Sequence, residues 1–77
     1  MKYAMKLQLR LLELGFHFDD AEDISGGERF RLGEGGVISV YDNGTVLVQG
    51  KFKPQYRAWA YQTLRRILPK TTIWKDK

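Results

Sequence analysis

The sequence predicts an α+β domain, an antiparallel sheet with two helices on one face. Three observations predict it. Helix-period apolar residues occur at both ends of the chain, from Ala4 and again after Pro54. Between them, residues 16–49 alternate at strand period, interrupted by glycine-bearing turns. The strongest turn signal, Asp42-Asn43-Gly44, separates two β-branched runs.

Residues 4–14 read as the first helix. Ala4, Leu7, Leu11 and Leu14 recur at spacings of three and four, and Met5 and Leu12 widen the stripe. Gly15 stands where a left-handed cap ends a helix. Phe16-His17-Phe18-Asp19 alternates as a short strand with both phenylalanines inward, and Asp20–Gly27 reads as an acidic loop. In Glu28–Leu32, Phe30 and Leu32 share one face and Arg29 and Arg31 the other. Gly33, Gly35 and Gly36 make the next turn.

Val37–Tyr41 and Thr45–Gln49 form a hairpin with two possible closures. A two-residue Asn43-Gly44 turn pairs Val40 with Leu47. A three-residue loop with Gly44 left-handed pairs Val40 with Val46 and Ile38 with Val48. The second gives one wholly aliphatic face, and a one-residue slip exchanges faces, so the cleaner partition selects it. Pro54 suits the first turn of a second helix, whose buried stripe reads Tyr56, Trp59, Ala60, Thr63, Leu64 and Ile67, with Tyr61 on the polar side. Pro69 stops it. Thr71-Thr72-Ile73-Trp74 is a fifth strand or an ordered tail with Trp74 on the core. Residues 1–77 make one domain, with a core over 4–68 and a basic tail over 69–77 that holds Lys70, Lys75 and Lys77.

Composition narrows the function. Seventy-seven residues, 43% hydrophobic and 29% charged, suit one folded core. No cysteine excludes disulfides, thiolate metal sites and thiol nucleophiles, and points to a cytoplasmic setting for so small a domain. A single histidine excludes multi-histidine metal sites. No apolar run approaches the roughly 20 residues that cross a bilayer, and the segment after Met1 is too interrupted for a signal peptide, so no membrane role is expected. The net charge of +4 is unevenly spread. Residues 1–27 carry three Lys/Arg against five Asp/Glu, and residues 28–77 carry ten against four. Such a field attracts a polyanion or an acidic protein patch.

Residues 36–51 resemble the hairpin in the N-terminal TBP-like domain of ribonuclease HIII. That pattern runs roughly V-x-I/V-x-Y-x-x-G-x-V-L-x-Q-G-K, and Tyr41, Gly44, Val46, Leu47, Gln49, Gly50 and Lys51 match it in spacing. The resemblance implies a half-TBP fold, a curved antiparallel sheet backed by two helices. It also implies a substrate-gripping role, since the family's domain holds RNA/DNA hybrid. A half-TBP unit is one lobe of a saddle, so a homodimer would complete it. The family begins with a strand before its first helix, where this chain offers at most Lys2-Tyr3. The 77 residues hold no ribonuclease H catalytic domain, so a stand-alone module is expected and the family's activity is not carried over.

The candidate site is the helix-free sheet face. Arg29, Arg31, Ser39, Tyr41, Leu47, Gln49 and Lys51 share it, offering cations for phosphates, an aromatic for stacking and polar groups for sugars or bases. Arg57 and Arg65, with Tyr61 and Arg66, add a basic stripe on the second helix. The expected function is a non-catalytic nucleic-acid-binding module for RNA/DNA hybrid or RNA. The alternative is a protein-interaction module, a toxin–antitoxin or phage accessory component, with Val37, Tyr41 and Leu47 as anchors on an acidic partner or a second copy.

Other constellations carry less. Asp19, Asp20, Glu22 and Asp23 offer hard oxygen ligands, but their spacing fits no EF-hand, so no metal or cofactor is expected. His17 and Asp19 share a strand face, without a nucleophile or second histidine for acid–base chemistry. The element order also resembles HicA-type RNA-cleaving toxins, but Gly26-Gly27-Glu28 stands where those carry a histidine, so no enzyme is expected. Gly33-Glu34-Gly35-Gly36 lacks a lysine and opens no helix, so it is no phosphate cradle.

Overall fold

A computed structural model of the chain describes residues 2–75; Met1, Asp76 and the tail residue Lys77 lie outside them. The order is α1 (Tyr3–Leu14), β1 (Phe18–Ile24), β2 (Gly27–Leu32), β3 (Gly36–Tyr41), β4 (Val46–Gly50), α2 (Pro54–Ile67) and β5 (Ile73–Lys75). The strands form one sheet in the order β1-β2-β3-β4-β5. The first four pair antiparallel, and β5 joins β4 in parallel, which the α2 crossover makes possible. This is the α+β architecture, with both helices contributing to one core on one side of the sheet.

Period two builds that core. Phe30, Leu32, Ile38, Val40, Val46 and Val48 leave the same face of β2, β3 and β4, each at most 3% exposed. Ala4, Leu7 and Leu11 of α1 and Ala60 and Leu64 of α2 close over them. Ile38 lies opposite Val48 and Val40 opposite Val46, the register of the three-residue loop. Tyr41 and Thr45 bracket that loop, with Gly44 at φ 92°. At the end of α1, Gly15 adopts φ 105°, and the Phe16 N–H donates back to the Leu11 carbonyl at 3.0 Å.

Four expectations need correction. Residues Asp20–Ile24 are not a loop but most of β1, and the turn is confined to Ser25-Gly26. β1 is an edge strand, where charge on both faces is tolerated, so its acids hid it. Met5 and Leu12 do not widen the buried stripe; they are 52% and 50% exposed, because α1 meets the core through Ala4, Leu7 and Leu11, with Leu14 packed partly buried beside them. On α2, Tyr56 and Trp59 stay more than a third exposed while Tyr61 turns inward, edge-on to Phe52 and tilted on Trp74. β5 brings Trp74 to that side, and this turns the helix. Finally, Gly36 is no turn residue but part of β3, where a Cβ would overlap the Phe52 ring.

Candidate functional site

The registers place the expected face. Glu22, Arg29, Ser39, Leu47 and Ile73 lie in one row across the sheet, and Asp20, Arg31, Val37, Gln49 and Lys75 in the next. These rows leave the side opposite the core, since their strand neighbours are the core residues. Tyr41, half-buried, lies two residues beyond Ser39 on the same face, and Lys51 is exposed just past the end of β4.

Three features separate these residues. Ser39 is only 1% exposed, so its short side chain cannot reach a ligand. Arg29 is already paired: its Nε and one terminal nitrogen donate to Glu22 Oε1 at 2.9 and 2.6 Å. Asp20 opposes Arg31 in the register, so β1 sets acids against both β2 arginines. The positive end that remains is Arg31, Lys51 and Lys75, with Gln49 between them. Lys75 and Ile73 were absent from the sequence-derived site. No local signal places them there, because β5 pairs with a strand across a whole helix.

Arg57 and Arg65 do not belong to this face. Both project from α2, on the other side of the sheet. The Arg57 guanidinium donates to the Phe52 carbonyl at 3.4 Å, and the Arg65 guanidinium lies 5.0 Å from the centre of the Trp74 ring. They tie α2 to its surroundings rather than extend a groove with Arg31.

His17 has a partner other than Asp19. Its backbone N–H donates to one Glu34 oxygen at 3.0 Å, and its ring Nδ1 lies 2.8 Å from the other. The Glu34 side chain is 4% exposed and the His17 side chain 81%. Burial alone would push the Glu34 carboxyl up. The hydrogen bonds from His17 and its own backbone, with the His17 charge, outweigh that and hold it below the usual carboxylate range. Backbone bonds from Gly33 to His17 and from Lys53 to Glu34 complete a clasp joining the entry to β1, the β2–β3 turn and the entry to α2. The clasp lies at the strand ends and offers no nucleophile.

A cleft of about 670 Å³ opens between the start of α1 and the β1–β2 and β3–β4 turns. Asp23, Glu28 and Asp42 line it against Lys2, a net negative set that does not favour a polyanion. No helix among the described residues is long and apolar enough to cross a membrane. No family model matches the chain, and neither a curated protein nor a solved structure matches it.

Proposed function

We propose that the helix-free sheet face is a non-catalytic nucleic-acid-binding surface that grips the backbone of RNA/DNA hybrid or RNA with little sequence preference. One observation carries this reading: the register aligns Arg31, Gln49 and Lys75 in a single row across β2 to β5, with Lys51 two residues beyond Gln49 past the end of β4. Neighbouring strands lie about 4.8 Å apart, so the row spans about 14 Å, enough for more than one phosphate. Tyr41 adds a stacking platform on the same face. The hairpin's resemblance to the ribonuclease HIII domain names hybrid as the first ligand to try. The cysteine-free composition favours a cytoplasmic setting.

Fluorescence anisotropy with hybrid, both duplexes and both single strands, titrated with salt, tests the reading. Binding should fall steeply with salt. Arg31→Ala with Lys51→Ala should weaken it for every sequence and lower the log–log slope by about two. Unchanged affinity in the folded double variant defeats the site.

A second reading has its own observation. Val37, Tyr41, Leu47 and Ile73 form an apolar centre on this face, with Ile73 46% exposed. That pattern suits a protein partner with an acidic rim to meet Arg31 and Lys51. An acidic protein that co-purifies in equal amount and is displaced by Leu47→Asp supports it.

A further inference from the structure

Helix α1 has a second apolar stripe. Met5, Leu9 and Leu12 are 52%, 49% and 50% exposed. Their spacing of four and three sets them on one face. At 100° per residue that face is turned about 130° from the centre of the buried Ala4, Leu7 and Leu11 stripe. α1 is therefore apolar on two sides, and only one meets the sheet.

The charges beside this outer stripe are ordered. Lys2, Lys6 and Glu13 border it along one side, with the cations at the N-terminal end and the carboxylate at the C-terminal end. All three are exposed, and the Glu13 tie to Arg10 is a long 3.9 Å surface contact. A two-fold axis across an antiparallel helix pair keeps that side facing itself with the ends exchanged. With the axis at Leu9, Glu13 of one copy falls between Lys2 and Lys6 of the other, about 1.5 Å along the axis from Lys6. The same operation sets Met5 beside Leu12 and Leu9 on Leu9. A parallel two-fold pair would instead turn this charged side toward the opposite flank of the partner's stripe, where Gln8 stands, and leave the charges unmatched. The stripe is complementary to itself in one orientation only.

We propose that α1 docks antiparallel on α1 of a second copy of this chain through Met5, Leu9 and Leu12. The inference is independent of what the sheet face binds. It assigns the copy contact to the helical layer rather than to the sheet. Both helix-free faces then stay open, one on each copy. A single helix pair covers less than the roughly 800 Å² per partner of a standard interface, so the dissociation constant belongs at about 10–100 μM.

Sedimentation velocity on the full chain from about 10 μM to 1 mM tests it. A monomer–dimer equilibrium is expected. Leu9→Lys changes an exposed residue and should leave a folded monomer at every concentration. Lys6→Glu and Glu13→Lys should each weaken association about tenfold, since either reverses two symmetry-related pairs. The double reversal should restore it. The chain has no cysteine, so Leu9→Cys should oxidise to a covalent dimer while Leu47→Cys should not. A monomer at 1 mM overturns the proposal, as does a dimer indifferent to Leu9→Lys or a double reversal without rescue. A monomer that instead binds anionic lipid vesicles through the Met5–Leu12 stripe also overturns it, and makes the stripe a membrane contact.

Discussion

The two faces of β2, β3 and β4 are made by alternate residues of the same strands, yet they obey different rules. On the helix side, Phe30, Ile38, Val40, Val46 and Val48 are all nearly or wholly removed from water. On the open side, Arg29, Arg31, Val37, Leu47 and Gln49 remain partly wet. The dry face is defined by volume, since every methylene has neighbours on all sides. The wet face is defined by charge and by the identity of its strand neighbours. Glu22 occupies Arg29, while Asp20 stands opposite Arg31 in the register without an ion pair to it among the described residues, so Arg31 stays positive with Lys51 and Lys75. A binding surface on a sheet is thus set as much by the edge strand as by the residues that would touch the ligand.

The largest expected effect breaks the comparison at its root. Phe30→Ala should cost about 3–5 kcal/mol in urea denaturation, a large share of a small domain's stability. Leu47→Ala, one strand period away in character, should cost less than about 1 kcal/mol. Equal losses would mean that the open face is buried in solution.

Glu34 tests a buried charge that belongs to neither face. Glu34→Gln should lower stability at pH 7 by about 1–3 kcal/mol, because hydrogen bonds to a buried carboxylate are lost. The sign with pH follows from the lowered pKa. The ionised form stabilises the fold above the ordinary carboxylate value, about 4.3, and that contribution is lost as pH falls through and below it. The wild-type and Gln stability curves should therefore converge in acid. Parallel curves from pH 7 to pH 3 would show that the carboxyl is not held in its charged form.

The smallest effect sharpens the wet face. Glu22→Gln frees the Arg29 guanidinium and removes a repulsive charge. Affinity for hybrid should rise about threefold, with a salt slope steeper by up to about one. Weaker binding by the folded variant would mean that Glu22 positions Arg29 for the ligand rather than withholding it.

These residues also show what a sequence can and cannot carry. The β3–β4 hairpin was legible because its loop chemistry and its aliphatic partition are both local. The shared face of Arg31, Tyr41 and Gln49 followed from period two once the aliphatic partition had chosen the register. β1 was not legible, because Asp19, Asp20, Glu22 and Asp23 erase the alternation and only pairing with β2 makes it a strand. The inward side of α2 was ambiguous, with Tyr56, Trp59 and Tyr61 spread around the helix, and β5 decides it. Arg57 and Arg65 were legible as residues of the second helix, but their contacts with the Phe52 carbonyl and the Trp74 ring were not, since those partners lie outside the helix. Glu34 looked like a turn residue among glycines. Its partner is 17 residues away, and nothing near either one announces the other.

β1 also bounds the sheet on one side, and a strand in that position is an open template for another chain. A second β1 laid against it would bring carboxylates onto carboxylates along most of its length. The acids that set negative charge beside the helix-free face therefore also oppose growth of the sheet into fibrils, and that opposition is kept only while they are ionised.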